Sequence, residues 1–315
     1  MPAISATAPG KVILFGEHAV VYGRPAIAVP LTQVKARAIV TANPIQPEGE
    51  IRIQAPAIGL DASLNDLPAD DPLYLVVQGV LARLGLQRAP SCNIRITSTI
   101  PMAAGLGSGA ATSVALIRAF SAFMGHPFPD AWVNELAYEI EKIYHGTPSG
   151  IDNTVITYSK PVYFVREQPI ERFQVGQPFT ILIADTGMPG KTAATVAHVR
   201  QAWQEDPARL EKVFDEIGSI AREARSAIEG GQIESLGPLM NRNQACLEAL
   251  EVSSPDLDGL ISAARQAGAQ GAKLSGGGGG GNMIAVASEP AQEGIIEALK
   301  ASGAVRVLAT RIATE

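Results

Sequence analysis

A segment rich in small residues, 100–113, reads IPMAAGLGSGAATS and stands between a predicted strand and a predicted helix. Small residues let a backbone approach a ligand closely, and the free N–H groups and positive dipole of a helix start attract anions. Ser108 and Thr112 add hydroxyl donors. A tight strand-to-helix turn would need glycine for backbone reasons alone. The length of the segment and its density of small polar residues favour a phosphate-binding loop.

Carboxylates stand out in the next segment, residues 141–152, which reads EKIYHGTPSGID. Glu139 and Glu141 fall in the last two turns of a predicted helix, where the negative end of the helix dipole disfavours carboxylates. A surface glutamate there costs about 0.3–1 kcal/mol, whereas a divalent cation bound nearby would explain its presence. Asp152 follows a Gly-Thr-Pro-Ser-Gly loop, which either aims it rigidly or lets it hydrogen-bond its own backbone. The residues alone leave both pairs of alternatives open.

Two further segments combine glycine with charged residues. Residues 9–23, PGKVILFGEHAVVYG, place Lys11 at a strand start and Glu17 and His18 after the strand. Such a lysine is usually solvated and a lone histidine is more often structural, so this segment decides nothing by itself. Residues 273–282, KLSGGGGGGN, contain six consecutive glycines, which by composition suggest a flexible linker. Because the run stands between two predicted strands, a loop is favoured instead, in which the backbone N–H groups converge or the chain passes close to another element.

The composition excludes several classes of protein. The 315 residues carry a formal charge of −6, which argues against a general nucleic-acid binder. Cys92 and Cys246 form no CxxC pair, so we expect a reducing compartment with no disulfide framework or zinc site. HExxH, GxSxG and Walker motifs do not occur in the sequence, and no GxGxxG precedes a suitable Asp. Without a signal-peptide pattern or an apolar run of about 18 residues, we expect a cytoplasmic protein that has no membrane partner.

Hydrophobic periodicity places the first three segments among the elements of one domain. The predicted strands are residues 12–15, 26–29, 34–40, 51–54, 93–99, 154–158 and 162–165. The predicted helices are residues 73–84, residues 110–124, and a helix that begins at Asp130 and ends before Gly146. In the second of these helices Val114, Ile117 and Phe120 repeat at three-residue spacing, which indicates a buried face.

The second half of the chain has a simpler predicted order. A strand over 179–184 is followed by several helices, two short strands around the six glycines, a helix over 291–301 and a strand over 305–312. This order is typical of a split βαβ arrangement with extra helices after the first strand. We predict a domain boundary near residues 176–178, which gives domains of 1–177 and 178–315.

Together these segments resemble the GHMP kinases, a family of small-molecule kinases, through three motifs in the expected order over nearly the whole chain. PGKVILFGEHAVVYGRPAIA and EKIYHGTPSGIDN are most similar to the members that phosphorylate mevalonate. The resemblance implies an α+β fold with an N-terminal α/β domain and a C-terminal ferredoxin-like domain that carries extra helices. It implies transfer of the γ-phosphoryl group of ATP to the 5-hydroxyl of (R)-mevalonate with Mg²⁺, in isoprenoid precursor biosynthesis, by an enzyme that is often a homodimer. Another small-molecule kinase of the family, or a catalytically silent ligand sensor, is the alternative.

The resemblance also assigns roles to residues. Asp152 would receive the proton of the substrate hydroxyl, Lys11 would stabilise the developing alkoxide and orient Asp152, and Glu141 would hold Mg²⁺. The residues implied to cradle the phosphates are Gly105, Leu106, Gly107, Ser108, Gly109, Ala110, Ala111 and Thr112. The residues implied to shape the mevalonate pocket are Glu17, His18, Ser149 and Thr186. The substrate carboxylate would meet either His18 or Lys191, and the sequence does not choose between them.

Two positions depart from the family pattern. The second motif of the family usually reads GLGSSAA, and its second serine is a magnesium ligand, but Gly109 stands at that position here. Ser108, Thr112 or a water would have to substitute for the missing ligand. Asn282 follows the glycine run where a cysteine is common. Without a substitute for the serine, the affinity for the metal would be weaker.

Overall fold

The computed structural model describes residues 3–101, 104–145, 148–169 and 171–313. Helices and strands are mixed along the chain, which confirms the predicted α+β class. Within these ranges no helix is both long and apolar enough to cross a bilayer. Cys92 and Cys246 are both free thiols.

The strands and helices follow the predicted order closely. The strands are β1 Ile4–Phe15, β2 Ala26–Ala42, β3 Ile51–Ala55, β4 Leu60–Ser63, β5 Cys92–Ser98, β6 Val162–Phe164, β7 Glu171–Arg172, β8 Phe179–Asp185, β9 Gly271–Ser275, β10 Asn282–Ala287 and β11 Arg306–Ile312. The helices are α1 Pro72–Arg83, α2 Ser108–Phe123, α3 Asp130–His145, α4 Ile151–Tyr158, α5 Thr192–Glu205, α6 Pro207–Glu229, α7 Leu236–Ala249, α8 Pro255–Gln266 and α9 Gln292–Ala301.

Contacts between Cα atoms group the chain into two compact units. The first unit contains Met1–Lys11, Pro30–Pro101 and Gly107–Ser159, and the second contains Val12–Val29, Met102–Leu106 and Lys160–Glu315. Strands β1 and β2 therefore contribute residues to both units. The division of the sequence into domains 1–177 and 178–315 stays a prediction.

In its described residues the first unit combines a sheet with helices α1, α2, α3 and α4. Its strands lie in the order β4-β3-β5-β2, and β3 and β5 are parallel while the other pairs are antiparallel. Helix α2 packs against α1, α3 and α4. The predicted buried face of α2 is confirmed, since Val114, Ile117 and Phe120 are fully buried. This packing fixes the N-terminal end of α2, where the phosphate-binding loop is predicted.

The second unit contains the predicted ferredoxin-like sheet. Its strands lie in the order β11-β8-β10-β9, and every neighbouring pair is antiparallel. Helices α5, α6 and α7 form the insertion after the first strand, and α9 connects β10 to β11. Phe214, Leu247 and Leu260 belong to the buried apolar cluster of this unit. Strand β2 also enters this unit, where Ala26–Ala28 pair with β6.

Two details of the predicted elements are wrong. Residues 154–158 form part of helix α4, although Thr154, Val155 and Ile156 have side chains that favour strands. Ile151 and Val155 lie four residues apart and are fully buried, so tertiary packing outweighs local propensity here. The predicted strands 26–29 and 34–40 form one strand, β2. Pro30 is tolerated in it because it lies between the segments that pair with β6 and with β5.

Candidate active site

Lys11 and Asp152 form an ion pair in the first unit. Lys11 Nζ lies 3.0 Å from Asp152 Oδ1, with side-chain exposures of 7% and 29% respectively. Lys11 belongs to β1, and Asp152 lies in the first turn of α4, where the positive end of the helix dipole favours a carboxylate. Gly150 precedes this helix with φ +86°, a backbone conformation that glycine adopts without strain. The ion pair and the position directly after Gly150 are consistent with the alternative in which the loop aims Asp152.

Gly107 allows Lys11 to lie beside the start of α2. A Cβ atom added at Gly107 would lie 2.9 Å from Lys11 Cγ and 2.8 Å from Ile156 Cδ1. Gly107 also has φ +75°, a backbone conformation that residues with a side chain rarely adopt. Both observations explain why glycine precedes α2 and why the ammonium of Lys11 is held on a buried stem close to a helix N-terminus.

Glu141 adds a second carboxylate to this group. Burial of its carboxyl is the main cause that raises the pKa of Glu141 to about 7, and the negative charge of Asp152 raises it further, while Lys11 opposes the rise. Two carboxylates and one ammonium thus influence one another in the first unit. A bound cation would relieve the cost of ionising Glu141.

The start of α2 has the composition expected of an anion site. The first N–H groups of any α-helix have no acceptor within the helix, and α2 begins at Ser108. Ser108 and Thr112 are half-buried, and Gly109 is exposed. A Cβ added at Gly109 would meet no atom within 4 Å, so space for a side chain exists there. The phosphate role of this turn stays a prediction.

Several other residues of the predicted site have identifiable structural partners. Ser149 Oγ accepts a hydrogen bond from the N–H of Ile151 at 3.3 Å, which shapes the turn before α4. Thr186 follows β8, and its hydroxyl donates to the carbonyl of Gly281 at 2.9 Å. Of the remaining phosphate-loop residues, Gly105 is exposed, whereas Leu106, Ala110 and Ala111 are buried. Substrate contacts of these residues stay predictions.

Glu17 is buried in the second unit and paired with Lys273. The ammonium of Lys273, in β9, donates to the Glu17 carboxylate, and both side chains are 0% exposed. Lys273 Nζ also donates to the carbonyl of Leu274 at 2.7 Å. Burial lowers the pKa of Lys273, and the charge of Glu17 opposes that shift. Pairing of this kind is what permits a lysine to be fully buried.

His18 follows Glu17 and makes a defined contact with the glycine run. Its Nε2 lies 3.0 Å from the carbonyl oxygen of Gly277, so the Nε2–H tautomer donates. Burial lowers the pKa of His18 to about 4, the hydrogen bond to Gly277 opposes this shift, and the charge of Lys273 adds to it. The imidazole is therefore neutral near pH 7. Lys191, which precedes α5, is exposed.

The six glycines form the connection of the β9–β10 hairpin and are not a flexible linker. The N–H of Gly279 donates to the carbonyl of Val252 at 2.9 Å, and the N–H of Gly281 donates to that of Met188 at 2.8 Å. A Cβ at Gly278 would lie 2.0 Å from the Val252 oxygen. Of the six, only Gly277 has a φ outside the positive region. Close contacts and positive φ values together account for the run.

Two buried polar residues of segment 273–282 received no site role from motif analysis. Lys273 is the buried partner of Glu17, and Asn282 is buried and donates a hydrogen bond through Nδ2 to the carbonyl of Ala104. One signal for Lys273 was available, since a lysine stands inside an otherwise apolar short strand. No local signal identifies Ala104 as the acceptor of Asn282, because the two residues are 178 positions apart.

The predicted site residues thus fall into two groups, each within one unit. Lys11, Glu141 and Asp152 interact in the first unit. In the second unit His18 and Thr186 bond the glycine run, and Glu17 bonds Lys273 in β9. Across the described part of the chain, no cluster of three or more His, Cys, Asp or Glu side chains could hold a metal ion. A metal held by one or two carboxylates with substrate phosphates needs no such cluster.

Comparison with known proteins identifies the family. The family model "GHMP kinases N terminal domain" matches residues 73–160, and "GHMP kinases C terminal" matches residues 224–305. The mevalonate kinase of Thermococcus sibiricus is 35% identical over 99% of this chain and 97% of its own length. That of Aeropyrum pernix is 36% identical over 91% of this chain and 89% of its own length.

A solved structure supports the same assignment. The crystal structure of L. major mevalonate kinase in complex with R-mevalonate has a TM-score of 0.85 and 30% identity, covering 99% of this chain and 96% of that chain. Sequence relatives, both family models and the solved structure therefore agree with the three motifs and with the topology of the second unit. The chain belongs to the GHMP kinase family, whose members are ATP-dependent kinases.

Proposed function

We propose that this chain transfers the γ-phosphoryl group of ATP to the 5-hydroxyl of (R)-mevalonate. The observation that carries the chemistry is the largely buried Lys11, 3.0 Å from Asp152 and directly beside the start of α2. The acceptor is inferred from relatives that are named mevalonate kinases and match nearly the full chain. Phosphoryl transfer depends on positioning and charge stabilisation, which this arrangement supplies.

Each charged group of the first unit has a role in this proposal. Asp152 accepts the proton of the attacking hydroxyl. Lys11 orients Asp152 through their ion pair and stabilises the negative charge that develops on the attacking oxygen. The backbone N–H groups at the start of α2, with Ser108 and Thr112, hold the phosphates of ATP against the acidic charge of the whole chain.

The residues at hand fit Mg²⁺. Glu141 provides a carboxylate whose raised pKa reports burial beside another negative charge, and oxygen ligands are those that Mg²⁺ prefers. Glu141 and Ser108 would hold the ion, since Gly109 offers no side-chain ligand. When bound, Mg²⁺ neutralises charge on the phosphates.

The residues of the second unit have different roles in the proposal. Thr186 and the neutral imidazole of His18 contribute hydrogen bonds to the acceptor. Because His18 is uncharged near pH 7, Lys191 is the better partner for the substrate carboxylate. Glu17 is fully buried, so its contribution is indirect. A homodimeric state and a cytoplasmic location remain predictions.

Acceptor selectivity is tested by ADP release in a coupled assay, with ATP, Mg²⁺ and a panel of acceptors. Turnover is expected with (R)-mevalonate, and phosphorus NMR should place the new phosphate on the primary hydroxyl. Galactose, homoserine and phosphomevalonate serve as the competing acceptors. Turnover with one of these and not with mevalonate would replace the proposed acceptor. Nucleotide binding without turnover on any acceptor would favour a silent sensor, the alternative that the missing hydroxyl at Gly109 supports.

A further inference from the structure

A buried ion pair ties the end of β1 to β9 within the second unit. Glu17 follows β1 and Lys273 lies in the centre of β9, and neither side chain is reached by solvent. The ammonium is also bonded to the carbonyl of Leu274. Lys273 therefore has no access to a nucleotide or an acceptor, and its effect on either must pass through Glu17 or through the backbone of β9.

Three alternating residues of segment 273–277 form hydrogen bonds with β1 or with the residues that follow it, and Lys273 is the first of them. Ser275 Oγ donates to the carbonyl of Ile13 at 2.8 Å, and the carbonyl of Gly277 accepts from His18. Alternate residues of a strand point to one face, so Lys273 and Ser275 both face the end of β1. These three hydrogen bonds align the end of β1 and the residues after it with β9 and the beginning of the glycine run.

His18, which follows Glu17 in the sequence, has an unusual backbone conformation. His18 has φ +59° and ψ −50°, values near those of the classic γ-turn, which is rare and strained. The N–H of Ala19 donates to the carbonyl of Glu17 at 2.6 Å across this turn. Such a conformation persists only where surrounding contacts determine it. The fixed carboxylate of Glu17 is one such contact, and the imidazole bond to Gly277 is another.

We propose that Lys273 is a positioning residue for the phosphoryl-transfer reaction: by holding Glu17, it fixes the His18 turn and the start of the glycine run against each other. This inference rests on the proposed function. A buried ion pair is weak evidence for stability, because apolar residues often replace such pairs without loss. Because Glu17 is adjacent to His18, and His18 bonds Gly277, the ion pair also affects the position of the His18 turn.

The test compares Lys273→Met with the double variant Glu17→Gln/Lys273→Met. The single variant leaves the Glu17 carboxylate buried without its ammonium partner and should lower the melting temperature. The double variant removes both charges and should recover most of that loss. It should nevertheless raise KM for (R)-mevalonate by about tenfold or more, while kcat changes by less than about threefold, because the ground-state positioning of the turn is lost. Arg242→Met removes the two ion pairs that Arg242 of α7 forms with Glu216 and Glu223 of α6, and its kinetics should match wild type.

A readout that does not need turnover separates this inference from the proposed function. Nitrogen-15 NMR of the histidine side chains should show the Nε2–H tautomer of His18 in wild type and a mixture of tautomers in the double variant. A folded double variant with the wild-type tautomer and wild-type KM would overturn the inference, as would a changed tautomer with unchanged KM. If wild type phosphorylates a different acceptor of the panel, KM is measured for that acceptor. If it phosphorylates none, the proposed function fails, and an unchanged tautomer would still overturn the link from Lys273 to His18.

Discussion

Lys11 and Asp152 carry opposite charges 3.0 Å apart, and the two charges do different work in the proposed reaction. An amide in place of the Asp152 carboxylate keeps the shape of the side chain but cannot take a proton. For Asp152→Asn we expect turnover to fall by about 10²-fold or more, while ATP still binds. Steady-state ADP release and nucleotide titration measure the two effects.

A matched control for that variant is Asp256→Asn. Asp256 is exposed in the first turn of α8, the position that Asp152 occupies in α4, so helix-dipole effects are similar in both. The control should keep wild-type turnover. Equal turnover in Asp152→Asn and wild type would remove Asp152 from its role.

Gly109 is the position at which the site lacks the hydroxyl usual in the family. A serine would have open space there and a backbone without positive φ, so Gly109→Ser should fold and gain a few tenths of a kcal/mol from the better helix propensity of serine. The added hydroxyl should tighten the apparent Mg²⁺ affinity several-fold in a titration of activity. Gly259→Ser, at an open position within α8, is the control. Its Mg²⁺ dependence should equal that of wild type, and the same dependence in Gly109→Ser would contradict a ligand role at this position.

His18 makes folding stability depend on pH. Its pKa is lowered from an ordinary 6.5 to about 4. Between these two pH values the imidazole is therefore protonated in the unfolded chain and neutral in the folded chain. The stabilisation is present above pH 6.5 and is lost as the pH falls to about 4, amounting to roughly 3 kcal/mol. Urea unfolding at several pH values should show a smaller loss for His18→Asn than for wild type over that range. His126→Asn, which replaces an exposed histidine, should behave like wild type, and equal pH dependence in all three would contradict the shift.

At the scale of elements, the glycine run has positions that tolerate a methyl group very differently. Gly278 has φ +79° and an added Cβ would lie 2.0 Å from a backbone oxygen, whereas Gly276 has φ +91° in open space. Gly276→Ala should therefore cost about 1–2 kcal/mol from backbone strain alone. Gly278→Ala should cost more, because the backbone around Val252 must also shift. Denaturant unfolding gives both costs, and equal values would contradict a packed role for the run.

The elements also show where local sequence patterns stop being sufficient. Helix α2 was predictable because Val114, Ile117 and Phe120 recur at three-residue spacing, and all three are buried. Helix α4 was not, because its β-branched residues favour a strand and only packing against α2 and α3 makes it helical. The order of strands in the second unit was predictable, since the sequence of strands and helices permits few connections.

At the scale of the whole molecule, an anionic nucleotide binds a chain with a net charge of −6. The attraction of the phosphates to local cations and backbone N–H groups must therefore exceed their repulsion by the net negative charge of the chain. A ligand that binds only the folded chain raises the free energy of unfolding by about 2.7 kcal/mol at a hundredfold excess over Kd. Mg²⁺-ATP should produce such a rise in thermal or denaturant unfolding. Adenosine at the same concentration should produce much less, and an equal effect of both would show that the phosphates contribute little.

The sequence by itself determined the chemical types of the site residues, the family, and the order of most elements, because these depend on short spacings and on periodicity. It identified Lys11, Glu141 and Asp152, and two of them form the observed ion pair. Tertiary structure alone decided the rest. Glu17 and Lys273 are 256 positions apart, and His18 and Gly277 are 259 apart. Contacts over such separations leave no local pattern, so only the folded chain shows that Glu17 is buried, that His18 is neutral, and that six glycines are held in place by the backbone around them.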